Sequence, residues 1–407
     1  MSKKILFISG SVGLGHVIRD LVIAKELRKQ IPEVDIFWLA SHPASLALKE
    51  AGESLVPEAD KWAQESEVME NLNKECAEKG KVYNANLAKY LFNVREAWSS
   101  NVKIFKQLVD KEHFDIVIGD EAYEIAIALR DNIIKIPPTF VMIYDFIGLD
   151  TMTKNPLEKL IAYKINKGWA RGYGKVPDSV ITRIFIGELE DVPDKRFGFL
   201  LPNRRESSKE KYNFAGYILP FKPEEFTDKQ KVRETLGYGK EPIVICATGG
   251  TKIGQPILDL CAESFVLIKD KIPELCMVLV AGPRISIEFL QRTKGLLVRE
   301  YVPNLYQHFA ASDIAIVQGG STTTLELIAL NRPFIYFPIE GHAEQQLHVA
   351  PRLERFKAGI KMQFSKTTPE MLAEKVISNI GKDVNYPSIP IDGAQNTVRI
   401  IKKILAG

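Results

Sequence analysis

Short runs of apolar, largely β-branched residues recur along this chain, and each is followed by a stretch with helical spacing. In the first half they are Lys4-Ile5-Leu6-Phe7-Ile8-Ser9, Asp35-Ile36-Phe37-Trp38-Leu39, Asp115-Ile116-Val117-Ile118-Gly119 and Thr139-Phe140-Val141-Met142-Ile143. In the second half they are Pro242 to Ala247, Cys276 to Ala281, Asp313 to Val317 and Phe334 to Phe337. Runs without polar alternation make strands buried on both faces, and such strands belong in parallel sheets with helices above and below. The pattern therefore predicts an α/β chain with two doubly wound, Rossmann-like parallel sheets. Charged and amphipathic residues from about 61 to 110 read as helices between the early strands.

A length of 407 residues favours two domains. Leu201 to Tyr212 is dense in charge and reads as a surface connection, which places a hinge near residue 220. The expected domains are 1–220 and 221–393, with the final helix, 394–407, packing back on the first. A net charge of only +3 argues against nucleic acid as the main partner. No apolar run reaches the roughly 20 residues of a membrane span, and the start moves straight into a strand, so a cytoplasmic protein is expected. Cys76, Cys246, Cys261 and Cys276 show no Cys-x-x-Cys spacing and read as reduced core thiols. The six histidines show no metal-site spacing, and no bound metal is expected.

Chemistry concentrates where strands end. After Asp313 to Val317 come Gln318, Gly319, Gly320, Ser321, Thr322 and Thr323, then a helix that stops near Pro333. A helix start offers unpaired N–H groups and positive dipole potential, which suit a phosphate anion, although Ser321 serving as a plain N-cap is the alternative. Glu326 lies about one turn, roughly 6 Å, beyond Thr322 on the same face, where a ribose would hang from a bound diphosphate. Beyond the next strand, Glu344, Gln345 and Gln346 offer carboxylate and amide groups suited to sugar hydroxyls.

This segment resembles the donor-binding signature of GT-B nucleotide-sugar glycosyltransferases. The likeness is to the branch that holds the peptidoglycan lipid-intermediate N-acetylglucosamine transferase and the UDP-glycosyltransferases. The resemblance implies two domains facing a cleft, a UDP-sugar as co-substrate and no cofactor. It implies that Gly320, Ser321, Thr322 and Thr323 bind the donor diphosphate, Glu326 the ribose, and Glu344, Gln345 and Gln346 the sugar. Thr248-Gly249-Gly250-Thr251 resembles the family's second glycine turn, opposite the diphosphate. Tyr301 and Val302 fall in a stretch like the one whose backbone pairs with uracil, and a strand ending at Pro303 fits the same residues. Many members carry His or Arg at the place of Gln318 and Asn near His348 or Val349, so a charge beside the diphosphate is missing and the sugar stays open.

The loop holding Gly13, Gly15 and His16 resembles the family's Gly-x-Gly-His loop, whose histidine acts as base or contacts the acceptor. An imidazole with a pKa near 6.5 can take a hydroxyl proton, and Asp120 could orient it. Helix capping by either residue, or Glu121 in place of Asp120, are the alternatives. Between Lys154 and Arg183, basic and aromatic residues outnumber acids, which reads either as a solvated helix face or as a surface for an anionic acceptor or membrane headgroups. The expected activity is inverting, metal-independent transfer of a hexose, N-acetylglucosamine or glucose, from a UDP-sugar to a lipid-linked or small-molecule hydroxyl. Gly13 to Arg19 also resembles the start of UDP-sugar hydrolases of nonulosonic acid pathways, and a non-catalytic nucleotide-sugar-binding protein is the third reading.

Overall fold

A computed structural model describes residues 2–406 except 11–12, 64, 66, 69, 73–86, 135–138, 172–180, 251 and 288–292. Two compact units emerge, one built from Met1–Leu72, Ala85–Pro220 and Pro390–Gly407, the other from Phe221–Ile389. Each holds a six-stranded sheet whose strand pairs are all parallel.

In the first unit, β1 (Lys3–Ile8), β2 (Val34–Leu39), β3 (Ile116–Asp120), β4 (Thr139–Tyr144), β5 (Ile181–Ile186) and β6 (Asn213–Gly216) lie in the order β2-β1-β3-β4-β5-β6. The two-residue period of a strand splits each apolar run between opposite faces. Leu6, Ile8, Val117, Phe140 and Met142 pack with Phe105, Leu108, Ala126 and Trp169 on one side. Ile5, Phe7, Ile116, Ile118, Val141 and Ile143 pack on the other with Val17, Leu27, Val398 and Ile401. Two helices supply that second layer, Gly15–Gln30 and the C-terminal Gly393–Ala406. The last helix is thus part of the first unit's core.

In the second unit, β7 (Ile243–Ala247), β8 (Cys276–Val280), β9 (Leu296–Arg299), β10 (Ile314–Gln318), β11 (Phe334–Phe337) and β12 (Ile360–Lys361) run in the order β12-β11-β10-β7-β8-β9. Alternate residues Val244, Cys246, Met277, Leu279, Ile314 and Ile316 meet Leu258, Phe265 and Leu372 from covering helices. Cys246, Cys261 and Cys276 are buried free thiols, while Cys76 lies outside the described residues.

Two expectations from sequence are corrected. The charged segment from Leu201 to Tyr212 is not a plain surface connection, because it contains the helix Arg204–Lys211. Arg204 is fully buried, and its Nη1 and Nη2 grip the Asp150 carboxylate at 2.7 and 2.8 Å. Fork geometry makes such a pair strong, and losing one partner costs about 3–5 kcal/mol. Charge density read as exposure here hid a buried clamp. Trp169 and Arg183, counted with the exposed basic and aromatic residues, are likewise core residues, Trp169 stacking on Phe146 and Arg183 lying within β5.

Candidate functional site

Each sheet has one place where its strand order reverses, and there the connecting loops diverge to leave room for a ligand. In the first unit that place lies between β1 and β3, paired from Ile5↔Ile116 to Ile8↔Gly119. The loop leaving β1 carries Gly13 and opens a helix at Gly15, while β3 ends on Asp120. His16 and Asp120 are thereby brought together: Nδ1 of His16 lies 2.9 Å from Oδ2 of Asp120. With Nδ1–H donated to the carboxylate, Nε2 is the ring nitrogen that can take a proton.

Neither residue caps a helix. The N-cap positions are Leu14 and Ala122, without side-chain caps. Glu121, the competing orienter, sits at φ 52° and accepts instead from the Tyr123 hydroxyl at 3.2 Å.

Two further charges complete the network. Arg19 stands three residues after His16 on the same helix face, with Nη2 2.5 Å from Oδ1 of Asp120 and Nη1 bonded to Asp145. The Asp145 carboxylate also comes within 3.8 Å of His16 Nδ1. Asp120 therefore divides its oxygens between histidine and arginine, which fixes both rings of charge. Burial would lift the Asp120 pKa, but the charges of Arg19 and His16 and their hydrogen bonds hold it at about 2. Burial would lower that of His16, yet the charge and hydrogen bond of Asp120, joined by the charge of Asp145, raise it well above 6.5. Asp20 lies beneath, fully buried, accepting from Ser9 Oγ at 2.6 Å, and burial and the Asp120 charge push its pKa well up.

In the second unit the order reverses between β7 and β10, paired through Val317↔Ala247. Both glycine turns singled out from sequence leave these two strands side by side. Thr248 is fully buried and its hydroxyl has no hydrogen-bond partner among the described residues; Gly249 takes φ 83°, and Gly250 follows. Thr251 lies outside the described residues. On the β10 side, a Cβ at Gly319 would meet Pro338 Cα at 2.9 Å, so only glycine lets this turn pass the end of β11. Gly320 is the N-cap of the helix Ser321–Ala329 and has no side chain to cap with. Ser321 is not the N-cap; it opens the helix and accepts a 2.7 Å hydrogen bond from Nη2 of Arg352. Thr322 and Thr323 occupy the same first turn, with amides among the four that lack helical partners.

Arg352 is buried on the helix Ala350–Arg355, so a cation stands at this turn although Gln318 carries none. Glu326 is only 6 % exposed, and no hydrogen bond or ion pair reaches its carboxyl from the described residues. Burial pushes its pKa to about 8. Tyr306 is near enough for the Glu326 charge to help raise the phenol, after burial and against a hydrogen bond from Gln307.

Gln345 and Gln346 each use one end of the amide on the backbone. Oε1 of Gln345 accepts from the Ile339 amide at 2.8 Å, and Nε2 of Gln346 donates to the Pro338 carbonyl at 2.9 Å. Both pin the loop after β11, and Glu344 starts the π-helical turn Gln345–Val349. Such turns are frequent at functional sites. Tyr301 and Val302 lie between β9 and the helix Leu305–Ala311, both half-buried.

Sequence reasoning missed Arg19, Asp145 and Arg352. The first two had signals: Arg19 shares a helix face with His16, and Asp145 follows β4 at the ligand-binding edge of the sheet. Arg352 had none, because only the fold carries it back to Ser321.

Known proteins resemble this chain in sequence and in fold. Residues 244–387 match the glycosyltransferase family 28 C-terminal domain. The chain is 27% identical over 146 residues to the UDP-N-acetylglucosamine–N-acetylmuramyl-(pentapeptide) pyrophosphoryl-undecaprenol N-acetylglucosamine transferase of Thermosipho africanus, covering 36% of this chain and 41% of that protein. A protein of Methanosarcina acetivorans, described as an uncharacterized glycosyltransferase, is 24% identical over 384 residues, covering 91% of this chain and 88% of its own length. Among solved structures, SnogD from Streptomyces nogalater, a glycosyltransferase, superposes with a TM-score of 0.58 at 16% identity, covering 99% of this chain and 100% of that one. The glycotransferase of kitacinnamycin gives 0.58 at 16% identity, covering 100% and 95%.

Proposed function

We propose that this chain, which carries a family 28 C-terminal domain on the GT-B fold, is a hexosyltransferase that moves a sugar from a UDP-sugar to an acceptor hydroxyl with inversion. The observation that supports the donor reading most is Glu326. A buried carboxyl without an internal partner is costly unless a ligand meets it, and two adjacent ribose hydroxyls would donate to it. One turn earlier, the open amides of Ser321 to Thr323, the Arg352 guanidinium and the Thr248 to Thr251 turn would surround a diphosphate. These fixed dipoles and one cation would stabilise charge on the leaving diphosphate, and on this reading neither a metal nor a resident cofactor is required. Tyr301 and Val302 would present backbone to the base, and Glu344 would take sugar hydroxyls on the loop that Gln345 and Gln346 hold.

His16 would remove the acceptor proton through Nε2 while Asp120 stabilises the imidazolium. The pull of Asp120 and Asp145 favours the charged ring, so the neutral base and hence the rate should increase as pH rises above 6.5. The Thermosipho relative is named for a lipid-linked acceptor; an acceptor of that class, or a small molecule, is part of this proposal. Buried free thiols suit action in a reducing cytoplasm.

Calorimetry with UDP tests the donor site. Glu326→Ala is expected to weaken binding by about 1.5–3 kcal/mol, roughly ten- to a hundredfold, whereas His16→Ala should keep UDP affinity and lose turnover. Equal UDP affinity in the Glu326→Ala protein would overturn that assignment. Sugar release to water at a rate that no acceptor changes would replace transfer by hydrolysis.

A further inference from the structure

Beneath the His16 network, the helix Gly15–Gln30 carries one more ionisable side chain on the same face. His16, Arg19 and Asp20 stand three and four residues apart, and Asp20 is fully buried. Its Oδ2 accepts a 2.6 Å hydrogen bond from the Ser9 hydroxyl, and its Oδ1 has no partner among the described residues. Ser9 is only 2 % exposed; it directly follows β1, and its amide donates to the Leu39 carbonyl of β2 at 3.3 Å. The pair thus ties the helix to the end of β1. The tie spans the part of the chain that holds His16.

Gly10 carries the effect of this tie to the imidazole. A Cβ at Gly10 would lie in van der Waals contact with both members of the base pair, 3.5 Å from Cγ of His16 and 3.4 Å from the Asp120 carbonyl oxygen. The backbone next to Ser9 therefore lines the place where the ring rests. Asp20 itself has little to balance a negative charge. Asp120 has His16 and Arg19 as partners, whereas Asp20 has one hydroxyl and no ion pair among the described residues. Burial and then the Asp120 charge oppose its ionisation; Arg19, the Ser9 hydroxyl and His16 favour it, and the opposing effects win.

We infer that Ser9 and Asp20, the latter as a neutral acid, are positioning residues that hold the His16 imidazole against Asp120. The catalytic consequence rests on the reading of His16 as the base. Asp20 acts by hydrogen bonding and packing, and the counter-charge to the ring comes from Asp120 and Asp145. Small displacements of a reacting group are costly, so a brace two residues removed from the chemistry still bears on the rate. An ionised Asp20 would have a different role, as a third anion beside His16 and Arg19. Neutral substitution separates the two.

Turnover and the NMR titration of the His16 ring, both on the full chain, test the inference. Asp20→Leu, close to aspartate in size but unable to hydrogen-bond, and Ser9→Ala are each expected to lower kcat roughly ten- to a hundredfold while KM for the UDP-sugar is unchanged. In both, the ring should titrate closer to its ordinary 6.5, because its hold on Asp120 is loosened. Asp20→Asn, neutral and still able to meet Ser9, should restore most of the rate and titrate like the parent. Parent-like turnover and ring titration in Ser9→Ala would overturn the inference, and this small change decides the matter even if Asp20→Leu does not fold. A ring titration lowered as much by Asp20→Asn as by Asp20→Leu would overturn it too, since Asp20 would then act by charge. The titration needs no acceptor: a parent without transfer activity whose variants titrate as expected would remove the base reading and uphold the brace.

Discussion

The two points of strand reversal are built alike and filled in opposite ways. In the first unit, a histidine, an arginine and two aspartates pair with one another within a buried network in which Nε of Arg19 alone lacks a partner among the described residues. In the second, among the described residues, Glu326 stands without a partner, the Thr248 hydroxyl is unsatisfied and the amides of Ser321 to Thr323 are open. A network of paired charges is preorganised, so it can act on a proton without being rebuilt. An unsatisfied site carries a desolvation cost that a ligand of the right chemistry would remove. Two parallel sheets of different strand order, each reversing once, therefore carry a paired charge network at one reversal point and unpaired polar groups at the other.

Breaking the first network should give the largest effect. Asp120→Asn would remove the carboxylate hydrogen-bonded to Nδ1 and leave Arg19 with one partner fewer, and turnover is expected to fall by about 10²- to 10⁴-fold. UDP affinity measured on the same protein should be unchanged. Loss of UDP affinity there would mean that the two reversal points do not have separate roles.

A second test asks whether the receptor is waiting for its ligand. Glu326 is mostly protonated at neutral pH because its folded pKa is about 8, and hydroxyl donors would favour the charged form. Binding of UDP near pH 7 should then release up to about one proton, seen as a dependence of the calorimetric heat on the ionisation enthalpy of the buffer. Glu326→Gln should abolish that dependence. The same raised pKa has a sign for folding: its contribution is fully present below about pH 4.5 and is lost as pH rises through 8. Binding heats that do not vary with buffer would remove the carboxyl from the ribose.

The smallest effect sharpens the role of the charges around His16. The Arg19 cation lowers the histidine pKa and the Asp145 anion raises it. Arg19→Gln should move the acid limb of the rate profile to higher pH, and Asp145→Asn should move it to lower pH, each by about one unit or less. Asp120 from β3, Asp20 on the same helix and the half-buried Glu65 also act on this ring and stay in place in both variants. Shifts of the same sign would show that His16 is not the group whose titration the rate follows.

Much of this was open to reading along the chain. Apolar runs such as Ile5 to Ile8 and Val244 to Ala247 announce strands covered on both sides, and they sit in parallel sheets as that requires. The glycine turns at Gly249 and Gly319 also announced themselves, the first because of its left-handed backbone and the second because a Cβ there would strike Pro338. Side-chain roles were less legible. Gln345 and Gln346 read as sugar ligands by composition, and what chain order hid is that Oε1 of Gln345 and Nε2 of Gln346 also bond the Ile339 and Pro338 backbone. Arg204 looks like surface charge and is a buried clamp.

Local order, in short, was written in periodicity: alternation, helical spacing and the placing of glycine act over a few residues and need no knowledge of the rest. The sequence alone thus determined where strands end and which loops lie open to chemistry. Partnership was decided only in three dimensions. Arg352 meets Ser321 across 31 residues and His16 meets Asp120 across 104, because charges pair according to distance in space, and the order of strands in a sheet, not their order in the chain, sets that distance.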